Sequence, residues 1–271
     1  MAAIQKLLNI ALPPLSLVLL SSFMIPFLIF KVLIYVRKLF QTDEKLENKV
    51  VLITGAASGI GEQLAYEYGR RGAVLSLVDI REDNLVVVAE KARSLGSPDV
   101  IIIAADVSKL QDSRRFVDQT VNHFGRLDCL VNNAGIGKPS GFKDWSNASE
   151  FTSIMASKAA IINYFETLRM ELGCAIGITI VTPGLVKTDL GVTLIKKERI
   201  MEIIPMLSAS ELAESIVKSA CRGDMYLTEP SWVKVLFPFK LLYPQLVDWA
   251  SRLFFALSPK INNSATELKP E

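Results

Sequence analysis

The stretch Thr54-Gly55-Ala56-Ala57-Ser58-Gly59-Ile60-Gly61, set directly behind the apolar run Val50-Val51-Leu52-Ile53, constrains the fold of this chain more than any other feature. A buried strand that turns through glycines into a helix can hold a diphosphate. Glycine permits positive φ and removes the Cβ that would keep the backbone away from the anion, while the helix from about Glu62 to Arg71 offers its amides and the positive end of its dipole. A second apolar strand, Ala73 to Val78, follows Gly72 and ends at Asp79, about twenty residues on, where a carboxylate can hold a ribose hydroxyl.

Strand and helix then alternate. Val100 to Ala105 reads as a third strand running into Asp106-Val107, and Asp128 to Val131 as a fourth running into Asn132-Asn133-Ala134-Gly135. Helical periodicity fills Asn84 to Leu95 and Gln111 to Phe124, the pattern of a parallel, doubly wound α/β (Rossmann) sheet. A length of 271 residues suits one such domain with appendages.

Composition excludes several other classes. Thirty Lys and Arg against 28 Asp and Glu give no electrostatic case for nucleic acid. Cys129, Cys174 and Cys221 are odd in number and far apart, which suggests neither a disulfide framework nor a zinc site, and no metal is expected. His123, the only histidine, falls near the end of a helix and reads as a surface residue.

The first forty residues do not belong to a soluble fold. Leu7 to Phe30 carries no charge over 24 residues, enough to cross about 30 Å of hydrocarbon. Pro13, Pro14 and Pro26 allow a kink or a fold-back hairpin in one leaflet or on a lipid droplet. Lys31, Arg37 and Lys38 outweigh Lys6, which places the main domain on the cytosolic side. Residues 1–40 are thus expected to be an anchor, 41–48 a linker, 49–230 the nucleotide domain and 231–271 an extension ending in a polar, disordered tail from Ile261. In that extension Trp232 to Leu257 interleaves aromatics with Lys234, Lys240, Asp248 and Arg252. It suits a membrane interface, a partner surface or packing on the main domain. Sequons at Asn147 and Asn262 carry little meaning on a cytosolic domain.

The glycine turn, the Asp106-Val107 pair, Asn132-Asn133-Ala134-Gly135, Ala156-Ser157-Lys158 and Pro183-Gly184 with Thr188 together resemble the short-chain dehydrogenase/reductases, over residues 49 to about 230. The hydrophobic entry, Tyr66-Glu67-Tyr68, Phe165 to Arg169 and Gly177 to Gly184 resemble the hydroxysteroid dehydrogenase-like members, which include oil-body steroleosins and relatives of eleven-beta-hydroxysteroid dehydrogenase. That resemblance implies reversible hydride transfer between NAD(P) and a sterol-like alcohol or ketone. It also implies that Gly55, Ser58, Gly59, Ile60 and Gly61 hold the pyrophosphate, Asp106 and Val107 the adenine, and Asn133, Ala134 and Gly135 the ribose region. Lys158 would hold the nicotinamide ribose, and Pro183, Gly184 and Thr188 the carboxamide end. Asp79 favours NAD, whereas Arg81 can accommodate a 2′-phosphate; NADP is put ahead on resemblance, with NAD possible.

The same resemblance exposes a gap. The family places a tyrosine four residues before the lysine as general acid/base, with a serine upstream; here that position is Ile154, which has no proton to give. Tyr164 lies six residues beyond Lys158, about 240° around a helix, and cannot substitute. Gly135 and Lys158 are only 23 positions apart, roughly forty short of what a further helix, strand and loops need. The expectation is a block missing between Met155 and Ala156, with one central strand, one helix, the serine and the tyrosine in it. The stretch from Leu190 to Met206, where the substrate loop would lie, is also short. A buried Val, Leu or Ile contributes about 1.5–3 kcal/mol against a domain stability of about 5–15 kcal/mol, so such a loss would be severe. One long helix can still form, because Phe151, Ile154, Lys158, Ile161, Phe165, Leu168 and Leu172 recur at spacings of three and four. Expected partners are a sterol-like substrate, a membrane or droplet surface, and a homodimer or a heterodimer with full-length relatives. The alternative class is a nucleotide-binding or droplet-coat protein without chemistry.

Overall fold

The computed structural model describes residues 2–39, 44–136, 148–173, 175–189, 191–192 and 206–256. Asn147, Cys174, Asn262, the tail from Ile261 and most of the stretch from Leu190 to Met206 lie outside the described residues. The chain divides into two units, Met1–Glu44 and Lys45–Glu271.

The first unit is one helix, α1 (Ala2–Leu39). Pro13, Pro14 and Pro26 lie inside it without ending it, so the described chain does not fold back. Each proline withdraws only one donor, and the remaining backbone groups of an uncharged helix satisfy one another. The 21 residues Ile10–Phe30 are long and apolar enough to cross a membrane, and none of that stretch is buried.

In the second unit the strands β1 (Val50–Thr54), β2 (Val74–Asp79), β3 (Val100–Ala104) and β4 (Cys129–Val131) form a parallel sheet in the order β3-β2-β1-β4. Its register sets Val51 beside Leu75 on one side and Cys129 on the other. β1 is buried at every position, as a parallel strand covered on both faces must be. The covering layers sort by the two-residue period of the strand. Val51, Ile53, Leu75 and Leu77 pack against Leu64, Ala65 and Tyr68 of α2 (Gly59–Arg70) and against Leu85 and Val88 of α3 (Glu82–Ser94). Leu52 and Val78 face the opposite way, onto Phe116 of α4 (Leu110–Phe124). On that face Ser76 Oγ meets Thr120 Oγ1 at 2.7 Å, and Thr120 donates to the Phe116 carbonyl, so two buried hydroxyls satisfy each other. Lys45 to Asn48 fall in this unit, where Leu46 is buried and the Asn48 amide donates to the Gly72 carbonyl.

The sheet then stops. The long helix α5 (Ala148–Leu172) forms across Met155/Ala156, as the periodicity predicts, but none of its described side chains is buried. After it, β5 (Ile180–Pro183) pairs in parallel with β8 (Tyr226–Glu229), and β6 (Val186–Lys187) with β7 (Leu207–Ser208), each as a separate two-stranded sheet. Among the described strands none hydrogen-bonds the outer edge of β4 or the second edge of β5. Between β7 and β8, α6 (Ala209–Cys221) starts at a capping box, Ser208 with Glu211, and lays Leu212, Ala213 and Val217 into the core that α2 lines. A 3₁₀ turn (Ser231–Val235), α7 (Leu236–Leu242) and α8 (Pro244–Ala256) complete the described chain.

Candidate functional site

The glycine turn joins the end of β1 to α2, which starts at Gly59, three residues before the predicted start. Gly55 has φ of +68°, and a Cβ there would lie 2.8 Å from the Ala134 Cα. A Cβ on Gly61 would overlap the Gly55 carbonyl oxygen and crowd Asn133 Nδ2. Both positions therefore demand glycine, one for its conformation and one for closeness of approach. Ser58 stands at the N-cap but makes no capping hydrogen bond with its side chain, so the first-turn amides of α2 keep their open face. That is the donor set a diphosphate requires, and the residues present fit a dinucleotide.

Thr54, the first residue of the glycine stretch, locks the turn to the end of β4. Its hydroxyl accepts from the amides of Asn133 and Ala134, both at 3.1 Å, and Asn133 Nδ2 donates to the carbonyls of Thr54 and Gly55 at 3.0 and 3.2 Å. A threonine ending a buried strand immediately before a glycine turn is the sequence signal for that lock.

At the end of β2, Asp79 is buried and engaged on both oxygens. The Ala57 amide donates to Oδ2 at 3.2 Å, and Arg81 donates from its backbone amide, Nε and Nη2. Burial pushes this carboxyl up, but the hydrogen bonds from Arg81 and Ala57 outweigh it and hold it below the ordinary carboxylate range. Arg81, drawn up in turn by Asp79, also donates Nη2 to Ser58 Oγ at 2.9 Å, and Asp189 adds negative charge nearby. Asp79 thus faces inward as a neutralised pair, and the exposed part of Arg81 faces outward beside Ser58.

The remaining predicted residues distribute unevenly. The Ala105 amide donates to the Asp79 carbonyl, which brings Asp106 and Val107 alongside the end of β2; Asp106 accepts from Ser108, and Val107 is exposed. A Cβ on Gly135 would lie 3.0 Å from Lys158 Nζ, and one on Gly59 would lie 3.2 Å from Thr188 Cγ2. Lys158 is therefore brought to the segment after β4 and Thr188 to the glycine turn, where Ile60 lies in the first turn of α2. Pro183 and Gly184 stand at the end of β5, where the Gly184 amide donates to the Glu229 carbonyl at 2.6 Å. No hydrogen bond among the described residues joins them to the glycine turn.

Around Lys158 the chemistry thins out. Ile154, half-buried, occupies the position one helical turn before it, and Ser157 spends its hydroxyl on the Ile154 carbonyl at 2.8 Å. Tyr164 is exposed and stacks edge-on against Phe165. His123 is a surface residue, 3.2 Å from Asp99.

Comparison with known proteins agrees with this geometry. The short chain dehydrogenase family matches residues 49–156. The chain is 41% identical over 315 residues to 11-beta-hydroxysteroid dehydrogenase A of Sesamum indicum, covering 96% of this chain and 90% of that protein. It is 40% identical over 313 residues to 11-beta-hydroxysteroid dehydrogenase 1A of Arabidopsis thaliana, covering 94% and 89%. Both matched spans are longer than the 271 residues of this chain, so these relatives carry positions with no counterpart here. Among solved structures, 3-ketoacyl-(acyl-carrier-protein) reductase from Brucella melitensis complexed with NADH matches at TM-score 0.56 and 25% identity, over 68% of this chain and 97% of that one. A hydroxysteroid dehydrogenase from Escherichia coli, at 24% identity, shares the fold with TM-score 0.56 over 68% of this chain and 96% of that one.

Proposed function

This chain belongs to the short-chain dehydrogenase family, and from that premise we propose a membrane-anchored oxidoreductase of the hydroxysteroid dehydrogenase type whose nucleotide-binding half is complete and whose proton-transfer half is missing. A bound nicotinamide supplies or accepts the hydride exchanged with the carbinol carbon of a sterol-like substrate. The protein's own part is to hold that group and to give or take a proton at the substrate oxygen.

Holding is well provided for. The amides of Gly59, Ile60 and Gly61 would receive the diphosphate, Asp106 and Val107 would flank the adenine, and Lys158 and Thr188 would lie on the nicotinamide side. Because Arg81 neutralises Asp79 and also reaches Ser58, a 2′-phosphate would meet a cation and a hydroxyl there, which favours NADP over NAD.

Proton transfer is not provided for, and the observation that carries this reading is Ile154, one turn before Lys158. A phenol titrates near pH 10 in water and needs an adjacent ammonium to work near neutrality; here the ammonium has an alkyl side chain in the phenol's place. Three further observations support a block absent between Met155 and Ala156. The family match ends at Ala156, the relatives' matched spans exceed this chain, and among the described strands none pairs with the outer edge of β4 or the second edge of β5. The apolar α1 supports attachment to a membrane or droplet, with Lys31, Arg37 and Lys38 holding the domain on the cytosolic side.

The test is purified full-length protein incubated with NADPH and a steroid ketone. Bound cofactor with no turnover is expected. Turnover that disappears in Lys158→Ala would instead show a working enzyme. Retained binding without chemistry also suits the second reading, a nucleotide-bound coat or partner protein on a lipid surface. Association with a full-length relative in mixed sedimentation would favour that second reading.

A further inference from the structure

We propose that Asp189 is a specificity-determining residue: its carboxylate stands by the glycine turn, on the side where Arg81 reaches Ser58, and competes with a 2′-phosphate for the Arg81 guanidinium. This deepens the NADP reading given above and rests on Arg81 as the group that meets the 2′ position.

The acid at the end of β2 is not placed to compete. The Asp79 side chain is only 5% exposed, and its oxygens are taken by the amides of Ala57 and Arg81 and by the Arg81 guanidinium. A carboxylate so buried and so fully bonded does not meet an incoming anion. The Arg81 side chain, in contrast, is 48% exposed, and its Nη2 reaches Ser58 Oγ at 2.9 Å. A different part of the chain brings a second carboxylate to that place. Thr188 Cγ2 packs against Gly59, where a Cβ would lie 3.2 Å away, and Gly59 follows Ser58 directly. Asp189 follows Thr188 and is exposed. Its charge acts on Arg81: the hydrogen bond from Asp79 draws the guanidinium up most, burial draws it down, and the charges of Asp79 and then Asp189 draw it up further.

The backbone around Asp189 is tied down. After β6 the Thr188 amide donates to the Val186 carbonyl and the Val192 amide to the Thr188 carbonyl, both at 2.8 Å, and the Gly191 amide donates to Thr188 Oγ1 at 3.2 Å. A Cβ on Gly191 would overlap the Val186 carbonyl oxygen, so this turn closes tightly onto β6. Asp189 is therefore presented from a bonded turn beside Gly59. The two nucleotides meet it differently. A 2′-phosphate brings a charge of about −1.5 to −2 near neutrality and must share Arg81 with Asp189, whereas a 2′-hydroxyl brings none. Arg81 favours the phosphate, and Asp189 tempers that preference and keeps NAD within reach of the same cradle.

The experiment is titration calorimetry of the folded full-length protein with NADPH and with NADH, on the wild type, Asp189→Asn, Asp189→Glu and Arg81→Ala. Asp189 is exposed, so its substitutions leave the core untouched. Removing one like charge beside the phosphate is expected to tighten NADPH binding about three- to tenfold while NADH changes by less than about twofold. Asp189→Glu, which keeps the charge, keeps the wild-type ratio of the two affinities. Equal tightening of both nucleotides in Asp189→Asn overturns the proposal, because the carboxylate then opposes the diphosphate they share. A ratio unchanged in Asp189→Asn but collapsed in Arg81→Ala overturns the role of Asp189 and leaves Arg81 standing as the reader of the 2′ position. A ratio unchanged in Arg81→Ala overturns that reading of Arg81 and this proposal with it, and uptake of neither nucleotide by folded wild-type protein removes the cradle itself.

Discussion

Between Val50 and Val131 every strand meets its neighbour in register and carries apolar side chains to both covering layers; between Ala148 and Glu229 the pieces are present but the seams are open. β1 is buried from end to end, whereas β5 has no fully buried residue. α2 enters the core through Leu64, Ala65 and Tyr68. α5 instead holds the later sheet by polar contacts at its last turns: Arg169 Nη2 donates to the carbonyls of Ile178 and Met225, its guanidinium sits 4.9 Å from the Tyr226 ring centroid, and Tyr226 donates to Glu166 at 2.7 Å. The contrast teaches why the proposed nucleotide cradle would stand without the later half of the chain. The cradle is built by β1, α2, β2 and the end of β4, all inside the well-covered half. In the function proposed above, the proton relay would depend on a strand and helix beyond it.

The largest effect that sharpens this contrast is on stability. Leu77→Ala, in fully buried β2, is expected to cost about 2–5 kcal/mol in a urea titration, whereas Val181→Ala, in half-buried β5, costs under about 1.5 kcal/mol. Equal costs would mean that β5 is as tightly covered as β2. Gly61→Ala comes next. The added methyl group meets backbone at the turn, which costs about 1–3 kcal/mol and translates to roughly ten- to hundredfold weaker NADPH binding by calorimetry. Gly177→Ala, with nothing within 4 Å, leaves binding unchanged. Arg169→Ala removes two charged hydrogen bonds worth about 1.5–3 kcal/mol each at most, so amides from Ile180 to Val181 should exchange with deuterium faster while those of β1 and β2 hold.

The smallest effect is on pH dependence. The native Asp79 carboxyl titrates below its unfolded value of about 3.9, so its contribution is fully present above that pH and is lost as pH falls through the depressed native value. The stability difference between the wild type and Asp79→Asn should therefore be constant near neutrality and shrink below about pH 4. A difference that grows on acidification would contradict the assignment.

The cradle was legible because its signals are local. A buried apolar run, glycines at set offsets and a carboxylate about twenty residues on predict β1, α2, β2 and Asp79 with ends shifted by one to three residues. The role of Thr54 was hidden because it lies in bonding Asn133 and Ala134, almost eighty positions away. The inward turn of Asp79 onto Arg81 was equally hidden, since charge signs alone leave NAD and NADP both open. Helix α5 follows from its periodicity, yet the partner that would bury its stripe does not, because periodicity names a face and never what covers it. Whether β4 and β5 join depends on strand pairing across a long stretch of chain, and among the described strands the two do not pair.

The most direct measurement is titration calorimetry of the folded full-length protein with NADPH, followed by addition of a steroid ketone to the same sample and observation of nicotinamide absorbance. A saturable heat of one cofactor per chain, abolished or strongly weakened by Gly61→Ala, with absorbance that stays flat after the ketone, is the predicted result. No heat from folded protein would remove the cradle, and a steady fall in absorbance would show that protons still move without a tyrosine one turn before Lys158.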